Sequence, residues 1–214
     1  MEDAIIRDAL EFVKQIFEND CSGHDYFHTL RVYKMATYIA REEQADRLTV
    51  QLVALLHDVD DIKLSPATYE KKDNARKFLL AHGLAQTTID AICRMIDEIS
   101  YTGKDSISPA TLEGKCAQDA DRLDAIGAIG IARAFAYGGS HNRFMYHPDI
   151  KPKTEMSKEE YRKHQTTTVN HFYEKLFLLS AMMNTPTAKR IAEAREQYMK
   201  DYMDEFMAEW DGVR

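Results

Sequence analysis

Little in this chain can act as a covalent staple or a covalent nucleophile. Its three cysteines, Cys21, Cys93 and Cys116, lie far apart. No pair has the two-residue spacing of a zinc knuckle or a redox motif, and an odd, scattered set implies reduced thiols in a cytoplasm. Glycine and proline are scarce, nine and five residues among 214, a composition that leans towards helix. Basic residues do not outnumber acids: 28 against 35 leave a net charge of −7. A protein that grips long nucleic acid shows the opposite balance, whereas a small phosphorylated ligand needs only a local basic pocket. No apolar stretch approaches the roughly 18 residues of a membrane span. The first twenty residues carry acids throughout, unlike a secretory signal. No Gly-x-Ser-x-Gly elbow and no Gly-rich phosphate loop is present. The expectation is a cytoplasmic protein that meets neither membrane nor long nucleic acid.

What is present is helical periodicity almost everywhere. Residues 2–18 put Ile5, Ile6, Ala9, Phe12, Val13 and Ile16 on one stripe, and residues 28–43 do the same with Val32, Met35, Ala36, Ile39 and Ala40. Residues 49–58 are apolar nearly all round, the pattern of a buried helix. A helix over 68–82 should stop at Gly83, and another should open with Thr87 as N-cap. Ser108-Pro109 predicts a helix start, with one helix running through Gly127 and Gly130 to Gly138-Gly139. Those two glycines, three apart on one face, suggest a backbone packed close by. "SKEE", Ser157 to Glu160, is a capping box expected to open a helix reaching Met183. Thr185-Pro186 should open the last helix, ending near Gly212. Its stripe of Tyr198, Tyr202, Phe206 and Trp210 could pack within the chain or against a second copy, so a homodimer is possible. The long irregular piece is 139–156, with His141 and His147, a length typical of functional loops. No period-2 strand is convincing. The fold class is therefore all-α, a single-domain helical bundle over 1–214.

Three places gather polar groups at helix ends: His24, Asp25 and His28 in "GHDYFHTLRV"; His57-Asp58 with Asp60 and Asp61 in "ALLHDVDD"; and Asp119, Asp121 and Asp124 in "QDADRLDAIG". An unpaired buried carboxylate is very costly, and Lys63 alone among basic residues follows the middle cluster closely. A divalent ion would satisfy ligands from three segments at once. Imidazole with carboxylate suits manganese, iron, cobalt, nickel or zinc, and the lack of thiolates fits a catalytic ion rather than a closed structural zinc. His24 and His28 have i,i+4 spacing, and Gly23 places a helix start near His24. Asp60 and Asp61 read equally as an ordinary solvated acidic turn.

His28, His57-Asp58 and Asp121, in the order H…HD…D, resemble the signature of the HD superfamily of metal-dependent phosphohydrolases. "HDYFHTLRV", "ALLHDVDDIK", "DADRLDAIGAIGIARAFAYGG" and "NHFYEKL" together resemble its small bacterial branch that acts on nucleotides. The resemblance implies an HD-type bundle and a metal held by His28, His57, Asp58 and Asp121, with Asp119 and Asp124 as alternatives to Asp121. Manganese is the first expectation, with cobalt, nickel, iron, zinc or magnesium as alternatives. Asp61 matches the position of an acid beside the attacking water. His24, Arg31, Lys63, His171 and Lys175 are candidates for substrate contact; the last two have i,i+4 spacing, hence one helical face, and could reach phosphate oxygens together. The implied reaction is hydrolysis of a (deoxy)nucleoside triphosphate to monophosphate and pyrophosphate. Alternatives are a nucleoside 5′-monophosphate phosphatase, a cyclic nucleotide phosphodiesterase, or a nucleotide- or metal-binding sensor without turnover.

Overall fold

The computed structural model describes residues 2–17, 25–62, 65–157, 159–160 and 164–213. His24 and Lys63 lie outside them. Among the described residues every regular element is a helix and no strand occurs, as the periodicity predicts. Among the described residues no helix is long and apolar enough to cross a membrane. The chain divides into two compact units: one holds the residues up to Tyr101 together with Ile107–Asp121, the other holds Thr102–Ser106 and the residues from Arg122 onward.

In the first unit, α1 (Glu2–Phe17), α2 (Tyr26–Glu43), α3 (Arg47–Leu56), α4 (Asp73–Ala81), α5 (Gln86–Asp97) and the start of α6 (Leu112–Asp124) surround one apolar core. Ile5, Ala9 and Val13 of α1 meet Leu52, Leu55 and Leu56 of α3, with Leu79, Ile92 and Ile96 from α4 and α5. The all-round apolar pattern of α3 has its reason here: every residue from Val50 to Leu56 is buried. Two polar ties fix the frame. Gln51 Nε2 donates from α3 to the Thr37 hydroxyl of α2 at 3.2 Å. Buried Gln118 of α6 donates to Glu98 O at 2.6 Å and Ile107 O at 2.9 Å.

Several boundaries differ from the sequence reading. The helix starting near His24 begins at Tyr26, because Asp25 takes the N-cap and accepts from His28 N at 2.7 Å. The helix expected over 68–82 begins only at Asp73, since Lys72 adopts a left-handed conformation with φ 54°. Its predicted end holds, with Gly83 at φ 74°. Ala85, not Thr87, is the N-cap of α5. The helix assigned to Ser108-Pro109 opens at Leu112, with Thr111 Oγ1 accepting from Gly114 N at 3.0 Å.

In the second unit, the helix expected to run unbroken through Gly127 and Gly130 is two helices. After Asp124 the chain turns, and α7 (Gly127–Ser140) starts with Gly127 at φ 76°. A Cβ there would stand 3.0 Å from Arg195 Cγ, while one at Gly130 would collide with the carbonyl of Ala125. The close backbone is thus the chain's own preceding turn. The capping box forms, with Ser157 N donating to Glu160 Oε2 at 2.9 Å and Glu160 N to Ser157 Oγ at 3.4 Å. Its helix does not continue to Met183: residues 164–167 are irregular, and Thr167 caps a new helix, α8 (Thr168–His171). A π turn over Phe172–Leu176 follows, then α9 (Phe177–Leu179), and α10 (Pro186–Trp210) opens at Thr185-Pro186 as predicted. Tyr202 and Phe206 of the aromatic stripe pack within the chain on Phe135, whereas Tyr198 is exposed. The loop 141–156 is laid against α8 and the π turn: Thr168 N donates to Phe144 O, Asn170 Nδ2 to Ile150 O and Lys153 N to Glu174 Oε1.

Candidate metal centre

His28 sits three residues into α2, on the stripe that Val32, Ala36 and Ile39 bury. It is 1% exposed. His57 and Asp58 follow directly on α3, in a turn that continues the helix through Val59 N to Leu56 O and Asp61 N to Asp58 O. Asp121 lies near the C-terminal end of α6. All four belong to the first unit.

Their polar atoms converge. His57 Nε2 is 3.1 Å from Asp58 Oδ2 and 3.8 Å from Asp121 Oδ1. His28 Nε2 is 3.5 Å from the same Asp58 oxygen and 3.4 Å from the same Asp121 oxygen. The two imidazoles meet edge to face, centroids 5.4 Å apart. Side-chain exposure rises from 1% at His28 and 4% at His57 to 10% at Asp58 and 27% at Asp121, so the cluster opens on its Asp121 side.

His57 Nδ1 lies 2.8 Å from Ala54 O. A carbonyl can only accept, so Nδ1 carries the proton and the neutral ring presents a lone pair at Nε2. That nitrogen is buried, 3.1 Å from Asp58 Oδ2. A metal-ligating histidine has this arrangement, its second nitrogen anchored on a backbone carbonyl. Burial by itself lowers the pKa of His57, but the Asp58 and Asp121 carboxylates more than offset it and the net shift is upward. Burial by itself raises Asp121, yet the hydrogen bond from His28 and the charge of His57 bring it below the usual carboxylate value. The two shifts are mutual: the carboxylates favour the charged form of His57, and the imidazoles favour the charged form of Asp121. His28, His57 and Asp58 offer ligand atoms all within 4.8 Å of one another and could hold a metal ion; two imidazoles with carboxylate oxygen, and no thiolate, fit a divalent transition metal.

Two of the remaining acids, Asp124 and Asp60, are engaged elsewhere. Asp124 Oδ2 accepts from Arg133 Nη1 at 2.6 Å. Asp119 is fully buried. The alternative of a solvated turn does not hold at Asp60, which is buried and accepts from the backbone of Asn74 and Ala75; sequence reasoning missed this role, although "DNARKF" carries two helix-start residues. Asp61 is half-buried, three residues beyond Asp58. Arg31 lies three residues after His28 on α2 and is half-buried. His171 and Lys175 belong to the second unit, and the π turn between them replaces the regular spacing. Burial first, then the charges of Lys175 and Arg143, push His171 down to about 3.

Comparisons with known proteins give the family of this chain. Residues 25–126 match the HD domain model. YpgQ of Bacillus subtilis is 34% identical over 204 residues, which cover 94% of this chain and 92% of YpgQ. A Lactobacillus plantarum protein of known crystal structure shares 38% identity with a TM-score of 0.87, covering 97% of each chain. An HD-superfamily hydrolase from Bacillus thuringiensis shares 39% identity with a TM-score of 0.78 over 99% of each chain. The crystal structure of YpgQ in complex with ADP matches at 32% identity and TM-score 0.78, over 97% of this chain and 96% of that one. With its buried His-His-Asp cluster, its helical architecture and these relatives across nearly its whole length, the chain belongs to the HD-domain superfamily of metal-dependent phosphohydrolases.

Proposed function

We propose that the chain hydrolyses (deoxy)nucleoside triphosphates to monophosphate and pyrophosphate, with His28, His57, Asp58 and Asp121 as ligands of one divalent ion, manganese before the other candidates. The observation that carries the metal assignment is the convergence of these groups around the buried His57 Nε2. ADP in the crystal structure of YpgQ supports a nucleotide as substrate class.

When held there, a divalent ion supplies Lewis acidity, acidifying water and polarising a phosphoryl oxygen. The chain's own residues set the conditions. The Nδ1 bond to Ala54 O keeps the Nε2 lone pair of His57 available and its ring fixed. The more exposed Asp121 side of the cluster leaves room for substrate. Asp61 is assigned to accept the proton of the attacking water at its carboxylate. Arg31, with His24 and Lys63, is assigned to neutralise phosphate charge. Water adds to the α-phosphorus, the bond from that phosphorus to the bridging oxygen breaks, and the electron pair leaves with pyrophosphate.

The test is product analysis. Metal-stripped protein refilled with manganese and given nucleoside triphosphates, monophosphates and cyclic nucleotides should release pyrophosphate from the triphosphates. Release of orthophosphate from monophosphates, or ring opening of cyclic nucleotides, with the triphosphates untouched would overturn the assignment. Binding without turnover under every metal would make the domain a sensor.

A further inference from the structure

Asp60 follows the ligand pair by two residues and is only 1% exposed, yet it serves α4. Its Oδ1 accepts from Asn74 N at 3.1 Å and its Oδ2 from Ala75 N at 3.0 Å. Asn74 answers in kind: its Nδ2 donates to Val59 O at 3.0 Å and to Thr68 Oγ1 at 3.2 Å. Lys72, in the N-cap position, makes no side-chain cap bond. An acid from a different part of the chain therefore caps α4, and Asn74 holds that segment in return. Three hydrogen bonds clasp residues 59–60 to the first turn of a nine-residue helix.

We infer that this clasp makes Asp60 a positioning residue for the His57-Asp58 turn, an inference that rests on the reading of those two residues as metal ligands. Beyond Leu56 the turn carries the short bonds Val59 N to Leu56 O, 3.4 Å, and Asp61 N to Asp58 O, 3.0 Å. Such i to i+3 bonds have poorer geometry than the α-helical ladder and set the direction of side chains less firmly. The clasp supplies a second fixed end immediately after the ligand pair. It also sorts the acids. The first-turn amides and the positive end of the α4 dipole attract a carboxylate, and Asp60, with both oxygens engaged there, leaves Asp58 to face the imidazoles. Asparagine at position 60 would keep one acceptor and set its NH2 against a backbone N–H, loosening the turn.

The test uses the full chain loaded with cobalt(II), read by calorimetry and by the visible ligand-field spectrum. Asp60→Asn should weaken cobalt binding about ten- to hundredfold, the usual cost of losing a group that orients ligands, and should change the spectrum. Asn74→Ala should act in the same direction with a smaller loss, and it decides the matter if Asp60→Asn fails to fold by circular dichroism. Ile92→Val, a core change in the same unit, should leave affinity and spectrum as in wild type; an equal loss there would reduce the clasp to general stability. Wild-type affinity and spectrum in Asp60→Asn and Asn74→Ala, beside loss of cobalt in His57→Ala, would overturn the clasp alone. Wild-type protein that takes up no cobalt would overturn the ligand reading, and this inference with it.

Discussion

Removing divalent metal and returning it should move the melting temperature of the wild-type chain, and His57→Ala should remove that response. The magnitude follows from where the donors sit. His28 comes from α2, His57 and Asp58 from the turn after α3, and Asp121 from α6. Only the folded first unit brings their polar atoms to 3.1–3.8 Å. The ion therefore binds the folded state and not the unfolded one, and its binding energy becomes folding energy. At a hundredfold excess over Kd that amounts to about 2.7 kcal/mol. A chain of this length gains roughly 2–4 °C per kcal/mol, so the rise should be roughly 5–10 °C. The assay is thermal denaturation followed by circular dichroism, in EDTA and then in manganese at stepped concentrations. His57→Ala is the direct comparison, because it deletes the Nε2 ligand atom at the C-cap of α3; its starting temperature should drop, and its curve should be flat with metal. An unchanged wild-type melt, or a His57→Ala protein that still gains those degrees, would refute the reasoning.

Other outcomes follow from single contacts. Gly127→Ala should destabilise by roughly 1–2 kcal/mol from the left-handed backbone alone, with a further loss from Arg195, whereas Gly139→Ala, with open space around it, should cost nothing; urea denaturation compares them. Cys116, whose thiol burial pushes up to about 12, should resist alkylation in the native protein at pH 8, as should buried Cys93, and both should react once denaturant is added. His171 stays neutral in the fold down to about pH 3, while unfolded histidine takes a proton near its ordinary value of 6.5. The unfolded state then binds more protons below that value, so stability is full above it and declines as pH falls, by at most about 1.4 kcal/mol per pH unit. His171→Gln should show a shallower decline between pH 7.5 and 5 in urea titrations; an identical slope would count against the burial of that ring.

Local pattern alone was enough to read the all-helical class, the buried character of α3 and the start of α10 at Thr185-Pro186, because apolar period and capping chemistry act within one or two turns. The candidate metal cluster was legible for a different reason: His28, His57-Asp58 and Asp121 stand in flanking sequences that resemble a known signature. Boundaries set by distant partners were not legible. The late start of α4 depends on Asp60, fourteen residues away, and the break between α6 and α7 depends on a left-handed Gly127 packed on Arg195. The residues by themselves show three acids after His57 without saying which one faces the imidazoles; only the resemblance singles out Asp58. The tertiary structure decides it, since a buried carboxylate goes to whichever donors reach it first in space, and for Asp60 those donors are the amides of α4.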